Sequence, residues 1–156
     1  MTNLAEQLRA EASAAQKTKA ANEKRAATRA ANIERREAEE MEVRATEWAA
    51  EHLEEAIDTL GSRATKWARQ GETKTWKKWR IDRGSKDPEP TEKLLNYRAL
   101  SRSIAEHFTD QGMVVNLIEE RDGYEDTRVP SDEGWRPFVP TDHIIGVQID
   151  WSQPAE

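Results

Sequence analysis

At 156 residues the chain has room for one ordinary domain, or for a small domain with an appendage. Charged residues make up 35% of it against 36% hydrophobic, too polar for a uniform globule of this length, so part of the chain is expected to be exposed helix or unfolded. No apolar run approaches the roughly 20 residues that span a bilayer, no apolar signal segment opens the chain, and there is no cysteine. Disulfides, thiolate nucleophiles and cysteine-bound zinc are thereby excluded, and a cytoplasmic protein, or part of an assembled particle, with no membrane partner is expected.

The net charge of −6 is distributed in blocks of alternating sign: +3 over residues 1–32, −7 over 33–61, +7 over 62–86 and −9 over 87–156. Such blocks point to electrostatics within the chain or with a partner.

The first glycine is Gly61 and the first proline Pro88, so residues 1–60 lack both strong helix breakers. Their Ala, Glu, Arg, Lys and Gln content favours helix throughout. Between Leu8 and Ile33 there is no large apolar residue, so this helical arm has little to bury. A heptad phase through Ala10 and Ala14 places alanine at eight of fourteen seam positions, interrupted by Lys17, Lys24, Arg35 and Glu42. Either an alanine-type coiled coil or a single helix lying on something else fits this pattern.

From residue 41 the apolar spacing tightens, and Ala45, Trp48, Ala49, Leu53, Ala56, Ile57 and Leu60 form a helical stripe that should pack. Of these, Ala45, Trp48, Leu53, Ile57 and Leu60 are the candidate partner-binding residues. Gly61 and Ser62 are expected to end the helix, and a short second helix with Ala64, Trp67 and Ala68 would complete a helical hairpin closed by Gly71. Residues 73–82 fit helix or strand; the helical reading brings Trp76 and Trp79 together and is preferred.

Residues 83–90 read as a linker broken by Gly84, Pro88 and Pro90. A helix then starts at Pro90 and Thr91, carries Leu94, Tyr97, Leu100, Ile104 and Phe108, and stops at Gly112. A strand over 113–120, an Asp122–Gly123 hairpin turn and a return strand over 124–129 follow. After a loop holding Trp135 and Phe138, a last strand over 143–151 aligns Ile145, Val147, Ile149 and Trp151. The expected fold is mainly α with a small α+β C-terminal module: a helical arm (1–60), a basic Trp-rich segment and linker (61–90), and an acidic module of one helix on a three-stranded antiparallel sheet (91–156).

No catalytic motif emerges. His52, His107 and His143 lie on three different elements, and His52 with Glu55 one turn later lacks the repeated ligands of a helical metal centre. The carboxylates Glu119, Glu120, Asp122, Glu125 and Asp126 crowd the expected hairpin, where solvation is the ordinary state. No phosphate loop or nucleophile elbow is present, and neither a cofactor nor enzymatic activity is expected.

Residues 63–86 hold nine of the 24 Lys and Arg residues against Glu72 and Asp82 alone. Arg63, Lys66, Arg69, Lys74, Lys77, Lys78, Arg80 and Arg83, with Trp67, Trp76 and Trp79, can grip a phosphate backbone and stack on bases. The same tryptophans can be core, and the same cations can pair with neighbouring acids. A long helix that buries little is best explained by contact with itself or a protein partner. The leading expectation is therefore a non-enzymatic assembly or interaction factor, in an economy of design shared with small phage and mobile-element proteins. Nucleic-acid binding through residues 63–83 is the alternative.

Overall fold

A computed structural model describes residues 3–82, 92–125 and 138–152. The element order is α1 (Leu4–Ala68), β1 (Lys74–Asp82), α2 (Glu92–Asp110), β2 (Val114–Glu125) and β3 (Phe138–Asp150). The expected layout holds: the chain is mainly helical, and its C-terminal part carries a three-stranded antiparallel sheet. By contacts it divides into two compact units, Met1–Glu40 and Met41–Glu156.

In the first unit, Asn3 caps α1, its Oδ1 accepting the Ala5 amide at 3.1 Å. Every residue from 3 to 40 is exposed, Leu4, Leu8 and Ile33 included. Along this segment the Thr18 and Thr28 hydroxyls donate to the Ala14 and Lys24 carbonyls one turn back, and Arg35 pairs with Glu39 at 3.7 Å.

In the second unit, β3 is the central strand, antiparallel to β1 on one side and β2 on the other. Its odd positions His143, Ile145, Val147 and Ile149 are buried beneath the helices. There Val147 and Ile149 join Ala49 and Leu60 of α1 and Leu100, Ile104 and Phe108 of α2 in the main core, with Leu94, Ile81 and Ile145 forming a smaller one. The α2 stripe expected from its spacing is this core, and the stripe from Ala45 to Leu60 packs against it. The even positions of the strands lie on the other, more open face, where Trp76 meets Trp67 of α1 at one edge.

Three details of the sequence reading are corrected. First, α1 does not end at Gly61 and no helical hairpin forms. Gly61 keeps ordinary helical backbone, the Thr65 hydroxyl donates to its carbonyl at 2.9 Å, and buried Leu60 with half-buried Trp67 continues the packed stripe. The helix runs instead to Ala68 and is closed by a turn at Gly71 (φ 85°), where the Gly71 and Glu72 amides satisfy the Ala68 and Trp67 carbonyls.

Second, residues 74–82 are a strand, the third of the sheet. Third, Asp122–Gly123 is a register shift inside one long strand rather than a hairpin turn, and Tyr124 and Glu125 continue β2. The linker over 83–90, Arg83, Asp126, Trp135 and residues 126–129 of the expected return strand lie outside the described residues.

Candidate functional site

The basic tryptophan block is distributed over both faces of β1. Strand alternation puts Lys74, Trp76, Lys78 and Arg80 on the open face, and Thr75, Lys77, Trp79 and Ile81 toward the helices. Register then decides what the open-face cations meet. Lys74 Nζ lies 3.2 Å from Asp150, Lys78 Nζ 3.4 Å from Glu120, and Arg80 reaches Asp142 at 3.0 Å and Asp122 at 3.7 Å.

Lys78 and Glu120 sit on opposite edge strands, Lys78 level with Gly146 of β3 and Glu120 two residues along, level with Ile144. The absent side chain at Gly146 lets Lys78 cross the central strand: a Cβ there would stand 3.2 Å from Lys78 Cγ and only 2.4 Å from the Lys77 carbonyl oxygen. Asp150 is anchored at the other end of the face. Hydrogen bonds from the Ser152 hydroxyl (2.6 Å) and amide (2.9 Å), with Lys74 beside it, hold its carboxyl below the usual carboxylate range.

The remaining members lie near the C-terminal end of α1. Arg63 Nη1 donates to the Trp76 backbone carbonyl at 2.9 Å, and the Trp67 and Trp76 rings meet edge to face at 5.5 Å. Trp76 remains 45% exposed. Lys66 and Arg69 are exposed on the last turns.

Lys77 points the other way, into a cleft of about 330 Å³ between α1, β1 and α2. Its walls are Trp48, His52, Glu55 and Thr59 of α1, Lys77 and Trp79 of β1, and Tyr97 and Leu100 of α2. Tyr97 stacks on Trp79 and takes Trp48 edge-on, both at 5.3 Å, while Trp48 stacks on His52 at 4.0 Å. His52 Nδ1 donates to the Trp48 carbonyl at 2.8 Å, which leaves Nε2 as the acceptor in the neutral ring.

Of the five candidate partner-binding residues, Ala45 and Leu60 are buried, and Trp48, Leu53 and Ile57 are half-buried against the main core. They stabilise the second unit.

One cluster went unseen in the sequence. Arg98 of α2 forms a two-pronged pair with Glu119 of β2, and Glu119 Oε1 also takes His143 Nε2 of β3 at 2.9 Å. The Arg98 hydrogen bond first, then the Arg98 charge and His143, hold the Glu119 carboxyl below its usual range against the opposing effect of burial. A histidine on a carboxylate has the form of a general base, but His143 is only 1% exposed. The cluster ties α2 to the sheet. Its members stand 21 and 24 residues apart on three elements, with no local signal to join them.

No group of three or more His, Asp or Glu residues able to hold a metal ion occurs among the described residues. No protein-family model, curated protein or solved structure matches the chain.

Proposed function

We propose that this protein is a non-enzymatic assembly or protein-interaction factor that docks through residues 4–40 of α1, onto copies of itself or onto a partner protein. The observation that carries this reading is the complete exposure of that segment, including Leu4, Leu8 and Ile33. A helix without tertiary packing is marginal in water. The exposed Arg35–Glu39 pair adds no more than about 0.5 kcal/mol. Burying a single leucine or isoleucine side chain on a partner contributes about 1.5–3 kcal/mol. The alanine seam allows close approach of a second helix.

No helix among the described residues is long and apolar enough to cross a membrane. The proposed setting is the cytoplasm or an assembled particle. Light scattering on the pure full chain and on a chain beginning at Met41 tests the self-assembly form of the proposal. Removal of residues 1–40 should lower the number of copies per particle. Equal stoichiometry and equal stability of the two proteins would exclude it.

A second reading, nucleic-acid binding, draws support from the exposed Trp76 ring beside Arg63 and Trp67. Against it, Lys74, Lys78 and Arg80 already face carboxylates of their own chain. Titration of single- and double-stranded DNA and RNA, repeated with Lys74, Lys77, Lys78 and Arg80 changed to Ala, separates the two. Unchanged affinity in that variant removes the block as the site.

A further inference from the structure

The two edges of the sheet are finished differently. At the β1 edge, Arg63 occupies the outward Trp76 carbonyl and Trp67 lies against the Trp76 ring. At the β2 edge no strand among the described residues pairs with the outer side. The first half of β2, Val114, Val115, Asn116, Leu117 and Ile118, contains none of the devices that keep an edge single: no charge, no proline, no glycine and no bulge. Leu117 is 55% exposed there. The second half is protected, because Glu119, Glu120 and Asp122 are charged and already face Arg98 with His143, Lys78 and Arg80.

The geometry points to a second copy of this chain as the occupant of that edge, added antiparallel through residues 114–118 to make a continuous six-stranded sheet. Backbone and side-chain parity fix how this can happen. In an antiparallel pair the facing residues must either both turn their amide and carbonyl toward the partner strand or both turn them away, and must both project to the same sheet face, so the two-fold axis has to pass between the two copies of one residue. Centring on Glu119, Glu120, Arg121 or Asp122 sets like charges directly opposite. Centring on Leu117 puts Val115 against Glu119 of the second copy, and centring on Ile118 puts Leu117 there.

Centring on Asn116 sets Val115 against Leu117 on the helix side and Val114 against Ile118 on the open side, with the two Asn116 amides facing each other. This register matches apolar with apolar at the four residues flanking Asn116 and leaves Glu119 opposite Met113, beyond the paired stretch. It also keeps the committed carboxylates of the two copies roughly 20 Å apart along the strand, at about 3.4 Å per residue. This contact uses no residue of the N-terminal segment, so it stands or falls separately from docking through residues 4–40.

The absence of cysteine makes the register directly testable in the full chain. In an Asn116→Cys variant, opposed Cα atoms about 4.5–5.5 Å apart fit a disulfide, whereas Glu120→Cys sulfurs belong to strand positions roughly 27 Å apart. Under mild oxidation Asn116→Cys should become a covalent dimer at least ten times faster than Glu120→Cys. In the cysteine-free protein, hydrogen exchange over residues 114–118 should slow with rising concentration, and Leu117→Lys should abolish that concentration dependence without unfolding the sheet. Equal cross-linking at the two positions, or exchange over 114–118 that does not depend on concentration, would overturn the inference.

Discussion

Replacing Gly146 by Ala tests the open-face arrangement most sharply. The added Cβ would lie 2.4 Å from the Lys77 carbonyl oxygen, 3.1 Å from Lys78 Cα and 3.2 Å from Lys78 Cγ. Two of these three atoms are backbone, so β1 must move away from β3 at the centre of their pairing. Overpacking of this kind costs about 3 kcal/mol. Loss of the Lys78–Glu120 pair is a minor part, because both side chains are largely in water and such pairs contribute at most about 1 kcal/mol.

All six tryptophans lie beyond residue 41, so tryptophan fluorescence during urea unfolding reports the second unit. With a slope of about 1.5 kcal/mol per molar urea, the midpoint should fall by about 2 M in Gly146→Ala and by no more than about 0.7 M in Lys78→Ala. A Gly146→Ala protein within about 0.5 kcal/mol of the parent would show that β1 does not approach β3 closely at this point.

Gly61→Ala should stabilise α1 by about 0.5–1 kcal/mol, since Gly61 is mid-helix and an added Cβ meets nothing within 4 Å; destabilisation in thermal unfolding would instead place a helix end there. Thr75 is buried with its hydroxyl lacking a partner among the described residues, so Thr75→Val should raise stability by about 1 kcal/mol in the same urea assay, and a loss of that size would reveal a hidden partner. Glu119 and Asp150 both have carboxyl groups held below their ordinary values, which makes their contributions complete above the usual carboxylate range and lost as pH falls through the folded values. Stability should therefore drop on acidification below about pH 4.5, and Glu119→Gln should be less stable at neutral pH but show a shallower acid slope; an unchanged slope would deny Glu119 this role.

The elements legible in the sequence are those whose periodicity matches their burial. Leu94, Tyr97, Leu100, Ile104 and Phe108 mark α2, and Ile145, Val147 and Ile149 mark β3, because one face of each is continuously apolar and packed. In β1 the pattern is scrambled: charged Lys77 lies on the inner face and apolar Trp76 on the open one, so neither period appears in hydrophobicity. What identifies β1 as a strand is its partner, since Lys74, Lys78 and Arg80 find their carboxylates only in the three-stranded register.

Gly61 and Asp122–Gly123 carried ordinary stop and turn signals that tertiary packing and strand pairing overrode. The cleft and the Arg98–Glu119–His143 cluster depend on contacts between distant elements, which no local spacing encodes.

The central claim, that residues 4–40 are a docking segment, is tested most directly by hydrogen exchange along that segment. The measurement is made on the pure full chain across a hundredfold dilution, and on the complex recovered with it from cell extract. Docking on copies of itself predicts protection over residues 4–40 that fades on dilution, and docking on a partner predicts protection in the recovered complex. Unprotected exchange throughout residues 4–40 in the concentrated protein and in the complex would contradict the account.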